Sequence, residues 1–116
     1  MKDDNCLFCR IAAGEIAADL VFETDEVIGF RDINPQAPLH ALFIPRRHIP
    51  TLSDASEADA GILGRLMVAA AEYACKEGYD DDGYRVTMNC REGAGQSVFH
   101  VHLHLLAGRR FSWPPG

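Results

Sequence analysis

The stretch His100-Val101-His102-Leu103-His104-Leu105-Leu106 alternates histidine with apolar residues, and its reading decides the fold. Strict alternation is the pattern of a half-buried strand. Successive side chains on a strand point to opposite faces, so His100, His102 and His104 share one face while Val101, Leu103 and Leu105 anchor the other in a core. Three of the five histidines in the chain lie here. A row of imidazoles on a rigid element suits nucleophilic attack, proton transfer or metal binding near neutral pH. The expected strand runs over residues 100–107.

Upstream, Glu92-Gly93-Ala94-Gly95-Gln96-Ser97 reads as a flexible loop that opens onto the histidines. Gly93 and Gly95 permit backbone conformations closed to other residues. Successive N–H groups around Gly95, Gln96, Ser97 and Val98 can form an anion-binding nest, with the Ser97 hydroxyl beside it. Residues 84–89 read as a strand. Before them Ile62, Leu63, Leu66, Met67, Ala70 and Ala74 recur at helical spacing, with Arg65, Glu72 and Lys76 opposite. Met67 and Tyr73 are assigned to the buried stripe. Ser53, Asp54 and Ser56 are the candidate N-caps, and Gly78 is the expected stop. Residues 20–23 and 27–31 read as a hairpin turning at Thr24-Asp25-Glu26. Residues 40–44 read as a strand closed by Pro45, and residues 6–13 as one or two helical turns ending near Gly14. These elements predict an α+β domain: a five-stranded, mainly antiparallel sheet, one long helix on one face and a short N-terminal helix.

A length of 116 residues suits one domain, 1–116, with a single core. The net charge of −6, from 17 acidic and 11 basic residues, disfavours a nucleic-acid or anionic-membrane surface. It leaves room for a small anionic ligand. Residues 1–5 are polar, with no apolar signal region, and no later run is long enough to span a bilayer, so the expected location is the cytoplasm. In a reducing compartment Cys6-x-x-Cys9 reads as half a zinc site or a redox pair. Cys75 and Cys90 read as buried small apolar residues.

A phosphate held in the glycine-rich nest would face a nitrogen nucleophile. A covalent phosphohistidine divides one hard displacement into two easier ones. The central His102 is best placed to attack, and His104 to contact the phosphate or supply a proton. His40, at the start of another strand, can orient the nucleophile. Metal binding is the rival use: the strand histidines could form a catalytic zinc site, whereas Cys6, Cys9, His48 and one strand histidine could form a closed structural tetrahedron.

The pattern His-φ-His-φ-His-φ-φ, with φ apolar, resembles the signature of the histidine-triad (HIT) proteins. The segments Phe30-Arg31-Asp32-Ile33-Asn34-Pro35-Gln36-Ala37-Pro38-Leu39-His40 and Ile44-Pro45-Arg46-Arg47-His48-Ile49 look like the same family. Gly95-Gln96-Ser97-Val98-Phe99-His100 and the ending Trp113-Pro114-Pro115-Gly116 are similar to its Hint branch, the purine nucleoside phosphoramidases. The resemblance implies a HIT-like fold and a homodimer whose sheets join into one. It implies hydrolysis of the P–N bond of nucleoside 5′-phosphoramidates through a nucleotidyl-histidine, releasing AMP or GMP without an organic cofactor. It makes His102 the nucleophile, puts His104 and Ser97 at the phosphate and leaving group, and has His40 support the nucleophile. Asp32 would hold the ribose hydroxyls, and Leu7, Phe8, Phe30, Ile33 and Leu39 would wall the base. Asn89, Gly95, Gln96 and Val98 would complete the phosphate and ribose side, and Trp113 would lie near the partner subunit's pocket. Zinc-bearing members imply a structural zinc on Cys6, Cys9, His48 and His100. Arg31 stands where the Hint branch often has histidine. Two alternatives accompany this reading: a dinucleoside polyphosphate hydrolase, and a zinc- and nucleotide-binding partner protein whose hydrolysis is incidental. The nucleotidyl transferase branch, with glutamine at the position of His104, is disfavoured.

Overall fold

Leu39–Pro45 is buried along its whole length, and the other elements are arranged around it. In the computed structural model, which describes residues 3–116 and leaves Met1 and Lys2 outside the described residues, the elements run α1 (Leu7–Ala12), β1 (Leu20–Glu23), β2 (Val27–Arg31), β3 (Leu39–Pro45), α2 (Ala60–Lys76), β4 (Tyr84–Thr87) and β5 (Leu103–Ala107). The five strands are ordered β1-β2-β3-β5-β4. The predicted α+β architecture is present, and every pairing is antiparallel.

Both faces of the sheet are covered, which explains why β3 is apolar at nearly every position. Val27, Ala41, Phe43, Leu103 and Leu105 meet Leu66, Ala69, Ala70, Tyr73 and Ala74 of α2. The alternate residues Ile28, Phe30, Leu42 and Ile44 pack around Cys6, Phe8 and Cys9 at α1. Gly29 allows the first layer to close, because a Cβ there would lie 2.7 Å from the Phe43 ring. No helix among the described residues is long and apolar enough to cross a membrane.

Several boundaries differ from expectation for local reasons. The strand predicted over 100–107 starts only at Leu103, because Val101 donates its N–H to the Ile49 carbonyl at 2.8 Å instead of joining the ladder. Pro45 belongs to β3 and pairs with Val27; as the final residue it costs no interior ladder bond. The strand predicted over 84–89 ends at Thr87. Of the candidate caps, Ser56 donates its N–H to the Asp59 carboxylate at 2.9 Å, and Arg47 pairs with the same carboxylate. The long helix therefore begins at Ala60, after two single 3₁₀ turns at Leu52–Asp54 and Glu57–Asp59. Its inner stripe is centred on Leu66, Ala70 and Tyr73, which turns Met67 outward at 50% exposure. Cys75 is exposed on α2 and Cys90 is half-buried, so neither is the core residue expected. The Cys90 Sγ lies 3.3 Å from Ser53 Oγ.

Candidate active site

The departure of residues 100–102 from the ladder sets the chemistry of His102. Its Nδ1 lies 2.8 Å from the His100 carbonyl oxygen. A carbonyl only accepts, so Nδ1 carries the proton and Nε2 keeps its lone pair. Phe8 packs edge-on against this ring, with centroids 5.1 Å apart. Burial pushes the His102 pKa below its ordinary value, against the opposing effects of the His100 carbonyl and the Asp32 charge. The outcome is a neutral imidazole with one basic nitrogen available to the cleft that it lines.

A second chain of hydrogen bonds fixes His104. The Gln36 N–H donates to His40 Nδ1 at 3.0 Å, so the His40 proton sits on Nε2. That nitrogen lies 2.9 Å from His104 Nδ1 and 3.4 Å from Asp32 Oδ2. His104 Nδ1 therefore accepts, and its Nε2 carries a proton. The His102 and His104 ring centroids lie 5.0 Å apart, and both rings line one cleft, His102 with an acceptor Nε2 and His104 with a donor Nε2. Burial lowers the His40 pKa against the pull of Asp32. His104 is pushed down to about 4 by burial first and then by its His102 and His40 neighbours, with Asp32 opposing. His40 was expected behind the nucleophile; it stands behind His104 instead, and the His100 carbonyl orients His102. Asp32, His40 and His104 offer ligand atoms within 4.8 Å of one another. The N–H facing His40 Nδ1 keeps Nε2 protonated, however, so these residues form a hydrogen-bond chain in which His40 presents a proton rather than a lone pair.

A cleft of about 570 Å³ opens beside these rings. Of the residues expected around it, Leu7, Phe8, Phe30, Asp32, Ile33, Ser97 and Val98 line it together with His102 and His104. Leu39 does not: it is 2% exposed in the layer beneath α2, on the opposite face of the sheet. Gln96 is also outside the lining. Its buried side chain braces the loop by donating to the carbonyls of Pro50 at 2.8 Å and Val98 at 3.1 Å and by accepting the Arg91 N–H. Gly95, with φ 93°, and the half-buried Asn89 lie outside it too, and Trp113 is 84% exposed at the tail. Sequence reasoning missed Ile11, Ile16, Ala17, Ala18, Asp19 and Leu42 in the wall, whereas Arg31, the departure from the Hint pattern, lines it as well. The parity of β2 and β3 could have indicated Leu42, which shares a face with Ile28 and Phe30. Residues 14–19 carry no periodicity and gave no signal. Arg31 pairs with Asp19 at 3.4 Å and reaches the Tyr73 hydroxyl at 3.5 Å.

Cys6, Cys9, His48 and His100 converge, with all four ligand atoms within 4.8 Å of one another. Zn–S bonds of about 2.3 Å and Zn–N bonds of about 2.0–2.1 Å at a tetrahedral angle require S···N near ~3.5 Å and N···N near ~3.3 Å. The Sγ-to-Nδ1 distances are 3.4 Å for Cys6–His100, 3.3 Å for Cys9–His48 and 3.5 Å for Cys9–His100, and the two Nδ1 atoms are 3.3 Å apart. The outer contacts agree. His100 Nε2 donates to the Pro45 carbonyl at 2.7 Å, which leaves Nδ1 unprotonated, and His48 Nε2 faces Asp3 Oδ2 at 3.8 Å. Each sulfur accepts a backbone N–H at 3.4 Å, from Cys9 and Asp3. Burial raises the Cys9 thiol pKa, with the Asp3 N–H opposing; a divalent cation would offset that cost by binding the thiolate. The residues fit a tetrahedral zinc.

Residues 13–111 match the model of the HIT domain. The chain is 46% identical over 106 residues, 91% of its length and 89% of the relative, to the purine nucleoside phosphoramidase of Escherichia coli. It is 45% identical over 97% of its length, and 98% of the relative, to an uncharacterized HIT-like protein of Synechocystis. The crystal structure of a HIT family hydrolase from Legionella pneumophila superposes with a TM-score of 0.95 at 50% identity, covering 97% of this chain and all of that one.

The buried His104 makes stability pH-dependent. Its pKa is about 4 in the fold against an ordinary 6.5, so between those values the unfolded chain takes up a proton that the folded chain does not. Its contribution is fully present above pH 6.5 and is lost as pH falls through about 4. The melting temperature is expected to fall over this window more steeply in the native chain than in His104→Gln. Parallel curves would contradict this.

Proposed function

Because the chain belongs to the HIT family, we propose that it is a purine nucleoside phosphoramidase, hydrolysing the P–N bond of nucleoside 5′-phosphoramidates to AMP or GMP. The observation that carries this reading is the paired tautomers: His102 fixed with a free Nε2 lone pair, and His104 fixed with an Nε2 proton beside it. The similarity to the Escherichia coli purine nucleoside phosphoramidase supports the substrate class.

His102 Nε2 attacks phosphorus as the P–N bond breaks, and the His104 Nε2–H donates a hydrogen bond to the departing nitrogen, which takes up a proton from water and leaves as the neutral amine. His104 keeps its own proton, held on Nε2 by the His40 Nε2–H at its Nδ1. Water attacks the nucleotidyl-histidine, gives up its proton to solvent, and His102 leaves as the neutral imidazole with which it began. Ser97 and the Val98 backbone hold the phosphoryl oxygens; the nest expected from Gly95 and Gln96 does not form, because their N–H groups are donated to the Glu92 and Arg91 carbonyls at 3.0 and 3.1 Å. The purine lies against Phe8, Phe30, Leu7 and Leu42, and Asp32 accepts from the ribose hydroxyls. The role of Gln96 is indirect in this scheme, since its side chain braces the loop, and Asn89 completes the phosphate and ribose side. Residues 1–116 form one HIT domain, and its paired thiols suit a reducing cytoplasm.

Zinc on Cys6, Cys9, His48 and His100 is structural in this reading; it fastens α1 and the segment after β3 to the approach of β5. A second copy continues the sheet at β4, an edge strand, and covers Met67 and Val68, which are 50% and 57% exposed. Trp113 then reaches the neighbouring cleft. Nothing in the charge balance calls for nucleic acid or membrane as a partner.

Hydrolysis of adenosine 5′-phosphoramidate tests the activity. His102→Ala is expected to lose at least ~10³-fold in kcat while remaining folded, and His104→Ala ~10²–10⁴-fold. Turnover unchanged in His102→Ala contradicts the mechanism. A strong preference for dinucleoside polyphosphates, or tight nucleotide binding without turnover, moves the assignment to one of the alternatives. For the metal, elemental analysis is expected to give one zinc per chain, lost in Cys9→Ser together with thermal stability; a metal-free native chain of full stability contradicts it. Light scattering at micromolar concentration is expected to give twice the chain mass, and a monomer would rule out the continuous sheet.

A further inference from the structure

β5 ends at Ala107, and the chain then turns back over the segment between β2 and β3. Gly108 makes the turn at φ 95°, so close to Pro38 that a Cβ would lie 2.8 Å from the Pro38 Cβ. The turn delivers Arg109, whose Nε donates to the Gln36 carbonyl at 2.8 Å. The same guanidinium donates to the Arg110 carbonyl at 3.1 Å and lies over the Phe111 ring, 4.3 Å from its centroid. Arg85 approaches the other part of this tail, 5.2 Å from the Phe111 centroid and 2.9 Å from the Ser112 carbonyl. The Arg109 fork is therefore held by its own contacts with the Arg110 carbonyl and the Phe111 ring as it grips Gln36, while Arg85 contacts only the tail.

Gln36 is an exposed loop residue between Pro35 and Pro38, yet its N–H decides where the proton of His40 sits. Its side chain bonds only locally, to the Asn34 carbonyl at 3.1 Å. Arg109 ties this residue to β5, the strand that also carries His104. Both ends of the Gln36–His40–His104 chain are thereby referred to one rigid element. We propose that Arg109 is a positioning residue for the His40–His104 pair, acting through the backbone of Gln36 and touching neither ring.

If Gln36 drifts away, His40 Nδ1 loses the donor that excludes a proton from it. The proton is then free to sit on Nδ1, leaving a His40 Nε2 lone pair facing His104 Nδ1. Two lone pairs at 2.9 Å repel, so the His104 proton moves to Nδ1 and its Nε2 can no longer donate into the cleft. The apolar wall and the His102 tautomer are untouched. The loss therefore falls on kcat and not on substrate binding.

Imidazole nitrogen NMR of the ¹⁵N-labelled full chain tests this without substrate. In Arg109→Ala, or Arg109→Gln should the alanine variant fold poorly, the His40 Nδ1 resonance is expected to move from lone-pair towards protonated character. Arg109→Lys, which keeps a donor, is expected to retain the native pattern. Arg85→Ala, which loosens the tail without touching Gln36, is also expected to retain it. The kinetic consequence rests on the phosphoramidase reading: kcat is expected to fall ~10-fold or more in Arg109→Ala with KM within ~3-fold, and to recover in Arg109→Lys. A native His40 signal in Arg109→Ala overturns the proposal, as does an equal shift in Arg85→Ala. A shifted His40 in a chain that hydrolyses no phosphoramidate upholds the positioning role and refutes the activity.

Discussion

The hydrogen bond from His102 Nδ1 to the His100 carbonyl, 2.8 Å long, is the constraint on which the rest of the site depends. It exists because residues 100–102 leave the sheet. Val101 bonds to Ile49, and the His100 ring is fixed between the Pro45 carbonyl and the cluster of Cys6, Cys9 and His48. The ring of His100 and its carbonyl thus serve different ends of the molecule. One meets the metal-ligand cluster, and the other sets the tautomer of the neighbouring imidazole. The Cys–His cluster and the His102 imidazole are thus joined through residues two positions apart.

The other half of the site obeys the same logic with donors and acceptors exchanged. An amide N–H facing His40 Nδ1 forces a proton onto Nε2, and this choice passes to His104. Burial assists by keeping the rings neutral: an imidazole is useful as nucleophile or acid only if its single proton is on the required nitrogen, and a charged ring has no such choice. The low pKa values of His102 and His104 follow from desolvation, and the nearby Asp32 moderates them without reversing the effect. Hydrogen bonds from backbone groups decide the tautomers at both rings, so the arrangement depends on the fold more than on side-chain identity.

Much of this was legible in the chain. Alternation around His100–His104 put His102 and His104 on the face that lines the cleft, turn residues delimited β1 and β2 at the observed positions, and Cys6-x-x-Cys9 pointed to its cluster. The failures have physical causes. Periodicity continues through His100 and Val101 while the backbone bonding does not, so the start of β5 was misplaced. In the α2 stripe Ala69 takes the inner place given to Met67, because alanines at 69 and 70 pack as closely as larger residues. Leu39 is the first residue of β3, directly after a proline-containing loop, where parity is not fixed without knowing where pairing begins. The contacts of His40 with His104, and of Arg109 with Gln36, span 64 and 73 positions, and no local pattern encodes them.

The most direct test of the central claim is to find the nucleotide on the chain. Rapid-quench mass spectrometry during turnover of adenosine 5′-phosphoramidate, followed by peptide mapping, reads the site of attachment. The account predicts a transient adenylyl adduct on His102 alone, formed no more slowly than turnover. An adduct on His104 or any other residue, or turnover with no covalent species within the first catalytic cycle, would contradict it.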